Sequence, residues 1–431
     1  MKKFSSYLIP SVIASVLMSM YAIIDGIFIG QAVGDIGLAA INVAWPITAF
    51  LQSVGTALGL AGGICIQTHL GKNEIEEAKK LKLTTLIIVI GSSIILGVLF
   101  FILKEPLIRL LGATSDSFKP AVDYIKVILM GSLFQMTGTA LIPLLKNSGK
   151  IKTAVGASLS AIGVNLLLDY LLITVLGMEL IGAALGSVIA QVVSGSICII
   201  AYYKEFKGID FSLNSIKKIF TTAIAPFILA FSYSVVIIIT NITCKNYGGD
   251  EAIAAYTILS YICYIYISST CAVGDSIQPL FSYNEAKCDL KTNKQMLLKC
   301  FIISTSICVI YGIILLILQN PLGKLYNLSE TAFKYYKDGL VYYLSGGLLL
   351  GVIKVTCSYL YATNKKIKAN ILVFLEPFVL TPIGMLIFTL IFDLYGVWLT
   401  YLFVQAILLI VGILLLLIKK INFQNQSSLS N

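Results

Sequence analysis

The spacing of the charges is what most limits this chain. Charged residues make up only 12% of its 431 positions, and they gather in short segments between apolar runs of membrane-crossing length. A spanning helix needs about 20 predominantly apolar residues. Runs of that kind cover 7–29, 38–66, 81–103, 120–144, 153–176 and 180–203, then 219–244, 252–275, 296–318, 335–361, 369–392 and 396–418. Backbone polar groups in hydrocarbon must bond within their own span, which makes each run a helix. The expected fold is an all-α polytopic membrane protein of twelve transmembrane helices. Residues 1–203 and 219–431 form two six-helix lobes, joined by the polar link Lys204–Lys218. A soluble chain would carry about a quarter charged residues, and the mean hydropathy of +0.92 points the same way.

A net charge of +10 invites a nucleic-acid reading. The basic residues form no stripe and no aromatic-interleaved patch, so no nucleic-acid partner is expected. They sit in the loops instead. With the N-terminus in the cytoplasm, 22 basic residues fall in cytoplasmic segments and 7 in outer loops, while Lys126 and Lys354 lie inside spans. That asymmetry places both termini in the cytoplasm of a cell (plasma or inner) membrane protein. Lys2 and Lys3 precede an apolar run too long for a cleaved signal peptide, so it reads as a retained first span. The nine cysteines lie mostly within apolar runs, among them Cys198, Cys263, Cys271 and Cys308, and none forms a Cys-x-x-Cys pair. They read as small buried hydrophobes, not as a disulfide framework or metal site.

The two halves resemble each other at an offset of 214–216 positions. Pro10 falls on Pro226, Ala39-Ala40 on Ala254-Ala255, Gly59 on Gly274, Gly182 on Gly396 and Gln191 on Gln405. Six spans is an even number, so the second half enters the membrane from the same side as the first. The repeat is therefore parallel, about an axis along the membrane normal.

Within the first stretch, Pro10–Gly34, one acid stands out. A lone carboxylate is costly in hydrocarbon, so Asp25 must face the protein interior, a water-filled path or a cation, unless it lies just past the helix end. It stands about 27 Å along the first span, counted from Tyr7. Asn165 and Asp169 stand about 20 and 25 Å along the fifth span and share one face. Ser187 lies about 10 Å below the outer end of the sixth. All four reach a similar depth in the first lobe. Oxygen-only groups with two carboxylates suit Na⁺, or a proton shared between two acids; helix-end acids among core polar residues are the plainer alternative. At the matching positions of the second half stand Asn241, Thr381, Met385 and Tyr401, none of them acidic.

The second lobe has its own buried charges. Asp275, Lys354 and Glu376 lie about 12–14 Å from the cytoplasmic ends of their spans. They read as a structural ion pair, or as a pair that leaves one acid free for a cationic substrate. Asp123 and Lys126, three apart, read as a solvated helix pair. His69 is the only histidine, and no Ser-His pairing or phosphate-cradling Gly loop accompanies it. An enzyme is therefore not expected, nor an ATP-driven pump, which leaves an ion gradient as the driving force. Gly62-Gly63 and Gly346-Gly347 suit close helix packing or bending.

These residues resemble a family. Tyr21, Asp25, Gly30 and Gly34, followed by Ala39 to Ile47, are similar to the opening of multidrug and toxic compound extrusion (MATE) transporters. So are Lys146 to Lys150 leading to Asn165 and Asp169-Tyr170, Gly182-Ala183-Ala184 with Ser187 and Gln191, and Gln278-Pro279 with Asn284. The resemblance implies an antiporter that exports bulky cationic or amphipathic compounds in exchange for Na⁺ or H⁺ by alternating access. The coupling ion would be held at positions matching Asp25, Asn165, Asp169 and Ser187; the last is Thr in the family pattern. No other cofactor is implied. The substrate cleft would be lined by Met18, Trp45, Gln52, Tyr256 and Tyr264. The expected partners are a small-molecule substrate and membrane lipids, and the expected state is a monomer. A flippase for a lipid-linked sugar or peptidoglycan precursor is the alternative, disfavoured because only Lys126 and Lys354 lie within spans to meet a pyrophosphate.

Overall fold

The computed structural model describes residues 2–203 and 214–417. Most of the link read at Lys204–Lys218 lies outside them, as does the side chain of Met18. The described chain is helical throughout, without a strand. In order come α1 (Lys2–Val33), α2 (Asp35–Gly71), α3 (Ile75–Leu110), α4 (Ser115–Met130), α5 (Ser132–Asn147), α6 (Ile151–Asp169) and α7 (Glu179–Tyr203). Then follow α8 (Asn214–Ala286), α9 (Leu290–Leu325), α10 (Glu330–Ala362), α11 (Lys366–Leu375) and α12 (Thr381–Leu417). Among the described residues eight helices are long and apolar enough to cross a bilayer, or nine with α4 and α5 taken as one bent span.

Turns fall where the backbone can reverse. Gly34, at φ 69° and ψ −148°, separates α1 from α2. Gly249 takes nearly the same conformation, φ 63° and ψ −153°, and breaks the long α8 into two limbs. A glycine adopts this left-handed region at no steric cost. Asn73, Asn327 and Asn364 take positive φ at other turns, as asparagine readily does. Asp393 breaks α12 likewise. Asp289 caps α9 by accepting the Thr292 N–H at 3.0 Å, a bond that holds its carboxyl below the usual carboxylate range.

The apolar run expected over 120–144 is one helix in length but not in shape. It bends by 61° between α4 and α5. At the bend, a Cβ on Gly131 would come within 2.8 Å of a Val188 methyl, so a side chain there would push α7 away. Two further irregularities are π-helical turns, Tyr170–Val175 directly after Asp169 and Glu376–Leu380. The wider turn admits one more residue than an α-turn and is often found at functional sites.

Packing differs between the two ends of the molecule. At the end holding the 33–35, 111–114, 249–250 and 326–329 turns, one buried core runs across both halves. It joins Leu38, Ala39 and Ala40 of α2 to Ala254, Ala255 and Leu259 of α8 and on to Trp398. At the other end the cores are separate. One, around Leu58, Leu81 and Leu144, belongs to the first half; two others, around Phe281 and Leu408, belong to the second. The first helix of each half leans on the opposite half there. Leu8 of α1 packs with Val273 and Ile277, while Ile219 and Ala223 of α8 join the first-half core. One buried core thus crosses both halves at the first end, and separate cores serve them at the other.

Candidate functional site

The acid on α1 sits where three helices converge. Its carboxyl group is within hydrogen-bonding reach of Asp169 at the end of α6. Asp169 is buried and accepts from the Asn165 side-chain amide at 3.3 Å. That amide also reaches Ser187 Oγ of α7 at 3.4 Å. Asp25, Asn165, Asp169 and Ser187 are thus brought into one cluster, with the periodicity of α6 placing Asn165 one turn from Asp169. Three oxygens in the cluster, Asp25 Oδ1, Asn165 Oδ1 and Asp169 Oδ2, have no donor. Buried polar atoms normally find partners, and an unsatisfied carboxylate is costly inside a protein. A small cation, or a proton shared by the two acids, is the kind of partner such oxygens lack. Oxygen-only donors match a hard monovalent ion and not a transition metal.

Two supports of this cluster are not evident from spacing alone. Gly186 forms its floor, since a Cβ there would stand 2.7 Å from Asp169 Oδ1 and 3.4 Å from Asn165 Nδ2. The other face of α1 lies against the second lobe. Gly26 abuts the Tyr261 and Tyr326 rings, Gly30 meets the Tyr326 backbone, and the Tyr326 hydroxyl donates to the Ile23 carbonyl at 3.1 Å. The turn carrying Asp25 is therefore clamped between the lobes. Asn165 and Asp169 were legible as an i, i+4 pair, and Asp25 and Ser187 by their common depth; Gly186 and Tyr326 were not.

In the second lobe, Lys354 Nζ lies 3.6 Å from Glu376 Oε2, and Gln405 Nε2 donates to Glu376 Oε1 at 2.8 Å. Asp275 stands apart from that pair. Its Oδ1 accepts from Ser358 at 2.7 Å and from Gln278 at 2.8 Å, and the residue is exposed. Asp123 is half-buried and Lys126 exposed. Of the residues expected in a cleft, Trp45 and Tyr264 are about 40% exposed, Gln52 is half-buried, and Tyr256 is buried against Tyr343. Phe50 gathers Phe100, Phe227 and Phe231 at centroid distances of 5.2–5.4 Å, an inter-lobe aromatic group that spacing does not single out.

The MatE family model matches residues 10–171 and again 226–386, two copies starting 216 positions apart. The chain belongs to the MatE family. Membership makes it a multi-pass secondary transporter and not an enzyme. Multidrug export protein MepA of Staphylococcus haemolyticus is 24% identical over 92% of this chain and 88% of its own length. MepA of Staphylococcus aureus (strain MRSA252) is 23% identical over 92% and 89%. Among solved structures, an inward-facing multidrug resistance MATE family transporter of the MOP superfamily superposes with a TM-score of 0.81 at 20% identity, covering 94% of this chain and 96% of its own. An outward-facing one gives 0.70 at 20% identity, over 96% and 93%.

Proposed function

We propose that this MatE family member is an ion-coupled multidrug exporter. It extrudes bulky cationic or amphipathic organic compounds in exchange for Na⁺ or H⁺. On this reading twelve spans form two six-helix lobes, residues 1–203 and 219–431, with both termini in the cytoplasm of the cell membrane and the monomer as the working unit. The observation that carries the coupling role is the meeting of Asp25 and Asp169 with three donorless oxygens inside the membrane-spanning bundle. The export role is supported by the relatives, which are multidrug export proteins.

The mechanism is alternating access. One core shared at the end taken as outer, and separate cores at the other, support reading the present form as inward-facing. Substrate enters from the end with separate cores past Trp45, Gln52 and Tyr264, while Tyr256 lies buried in the shared core of this form. Asp275 is the wall acid that meets a cationic substrate, because Glu376 already neutralises Lys354. Cation binding at Asp25, Asn165, Asp169 and Ser187 favours the form that releases substrate outside. Its effect is bounded by the ion's differential affinity for the two forms. The engagement of Lys354 by Glu376 also leaves few free cations for a lipid-linked pyrophosphate, the chemistry a flippase needs.

The test is substrate export in proteoliposomes under an imposed Na⁺ gradient or an imposed pH gradient, with wild type and Asp25→Asn. Wild type exports with at least one gradient, and the variant loses the gradient-driven component. Undiminished gradient-driven export by Asp25→Asn would remove the coupling role from this cluster.

A further inference from the structure

The end with the shared core is sealed by contacts that obey the internal repeat. Asn42 Nδ2 of α2 donates to Thr257 Oγ1 of α8 at 2.8 Å, and these two residues are 215 positions apart. Each is therefore the repeat mate of the other, and the pseudo-twofold axis passes between them. Above them, Asp35, the first residue of α2, accepts the backbone N–H of Ser329 with both oxygens, at 3.2 and 3.3 Å. Ser329 is the N-cap of α10 in the other lobe. At the same offset, Asp250 follows the broken glycine of α8 and accepts from the hydroxyl of Thr114, the N-cap of α4 in the first lobe. Asp35 matches Asp250 and Thr114 matches Ser329, so one contact occurs twice, once in each direction.

The two copies share their geometry but not their donor, a backbone N–H at Asp35 and a side-chain hydroxyl at Asp250. A carboxylate takes a donor from the cap of a helix that starts in the opposite lobe, where the positive end of the helix dipole also favours a negative charge. The preceding glycines, Gly34 and Gly249, share one left-handed conformation that swings each acid outward from its own helix. Among the described residues, none of these four bonds to the Asp25–Asp169 cluster, and the coupling mechanism does not use them.

We propose that Asp35 and Asp250 are the two halves of an outer clasp that holds the lobes together at the extracellular end and so positions the transporter in its inward-facing form. The inference rests on the alternating-access reading above. Opening to the outside breaks both halves, and the clasp sets how often that happens in the absence of ligand. A hydrogen bond to a charged group is strong enough for each half to bias the two forms by about tenfold.

Spin labels at the tips of α3 and α9 read the outer mouth without reference to export. Leu110→Cys and Leu325→Cys place labels at exposed, repeat-related sites, with Cys288, the exposed native cysteine among the described residues, changed to serine. Distance distributions are measured on the full chain in proteoliposomes. Asp35→Ala and Asp250→Ala each raise the ratio of long to short distances by about tenfold, and by similar factors. Thr114→Val acts like Asp250→Ala, whereas Thr114→Ser, which keeps the hydroxyl, behaves as wild type; this pair decides the matter if an alanine variant does not accumulate. Two distances whose ratio ignores Asp35, Asp250 and the Thr114 hydroxyl would overturn the clasp alone. A single unchanging distance in every variant, with coupling ion present or absent, would overturn alternating access and the clasp with it.

Discussion

At the residue scale, the first-lobe cluster depends as much on a missing side chain as on its acids. A methyl at Gly186 would stand 2.7 Å from Asp169 Oδ1, a carboxylate oxygen of the proposed coupling site. Gly186→Ala is expected to fold with a loss of about 1–2 kcal/mol, the usual cost of modest overpacking. Its export should need about tenfold more coupling ion, read as the ion concentration for half-maximal rate in proteoliposomes. In the second lobe, Lys354 and Glu376 side chains are 21% and 14% exposed. Lys354→Met leaves Glu376 without its counter-charge and should cost about 3 kcal/mol, while Lys354→Met with Glu376→Gln should recover most of that loss. Thermal unfolding of the purified variants measures both. The sequence allowed Lys354 a choice between two acids at one depth. Only the rotation of α10 against α11 and the second limb of α8 assigns it to Glu376, because helical depth is readable from spacing and helix rotation in a bundle is not.

At the element scale, the bend between α4 and α5 shows what a single glycine does. Gly131 lets Val188 approach within contact distance, and the chain turns by 61° there. Gly131→Ala should lower stability by about 1–3 kcal/mol through displaced packing. Gly163→Ala, on the same lobe's α6 with nothing within 4 Å of an added Cβ, should instead stabilise by about 0.5–1 kcal/mol. Comparing the two melting midpoints separates glycine used for contact from glycine merely tolerated in a helix. The apolar run over 120–144 announced a span but not its bend, since hydropathy carries no information on the partner helix. The π-helical turn after Asp169 was equally invisible, because it arises from fitting one extra residue against α7 and not from any local preference.

For the whole molecule, one core joins the two halves at the 33–35 end and separate cores serve them at the other. If the outer end must part during transport, a covalent tie across it should stop the cycle. Asp35→Cys with Ser329→Cys puts a thiol on each of the two residues that now meet through a carboxylate and a backbone N–H. Oxidation should abolish export in vesicles and a reductant should restore it, with either single variant insensitive to both treatments. Export that continues after the cross-link is verified by mass would mean that this end does not open.

Amino-acid order alone determined the helical class and the repeat, and gave an expected depth for each charge along its span. These follow from the cost of placing polar groups in hydrocarbon and from the fixed rise of a helix, both local quantities. Tertiary structure decided which faces meet: that Asp25 turns towards Asp169, that Lys354 takes Glu376, and that Asp35 and Asp250 each reach a helix cap in the opposite lobe. Those choices depend on helix rotation and on contacts between residues hundreds of positions apart, which packing of the whole bundle sets and no stretch of sequence contains.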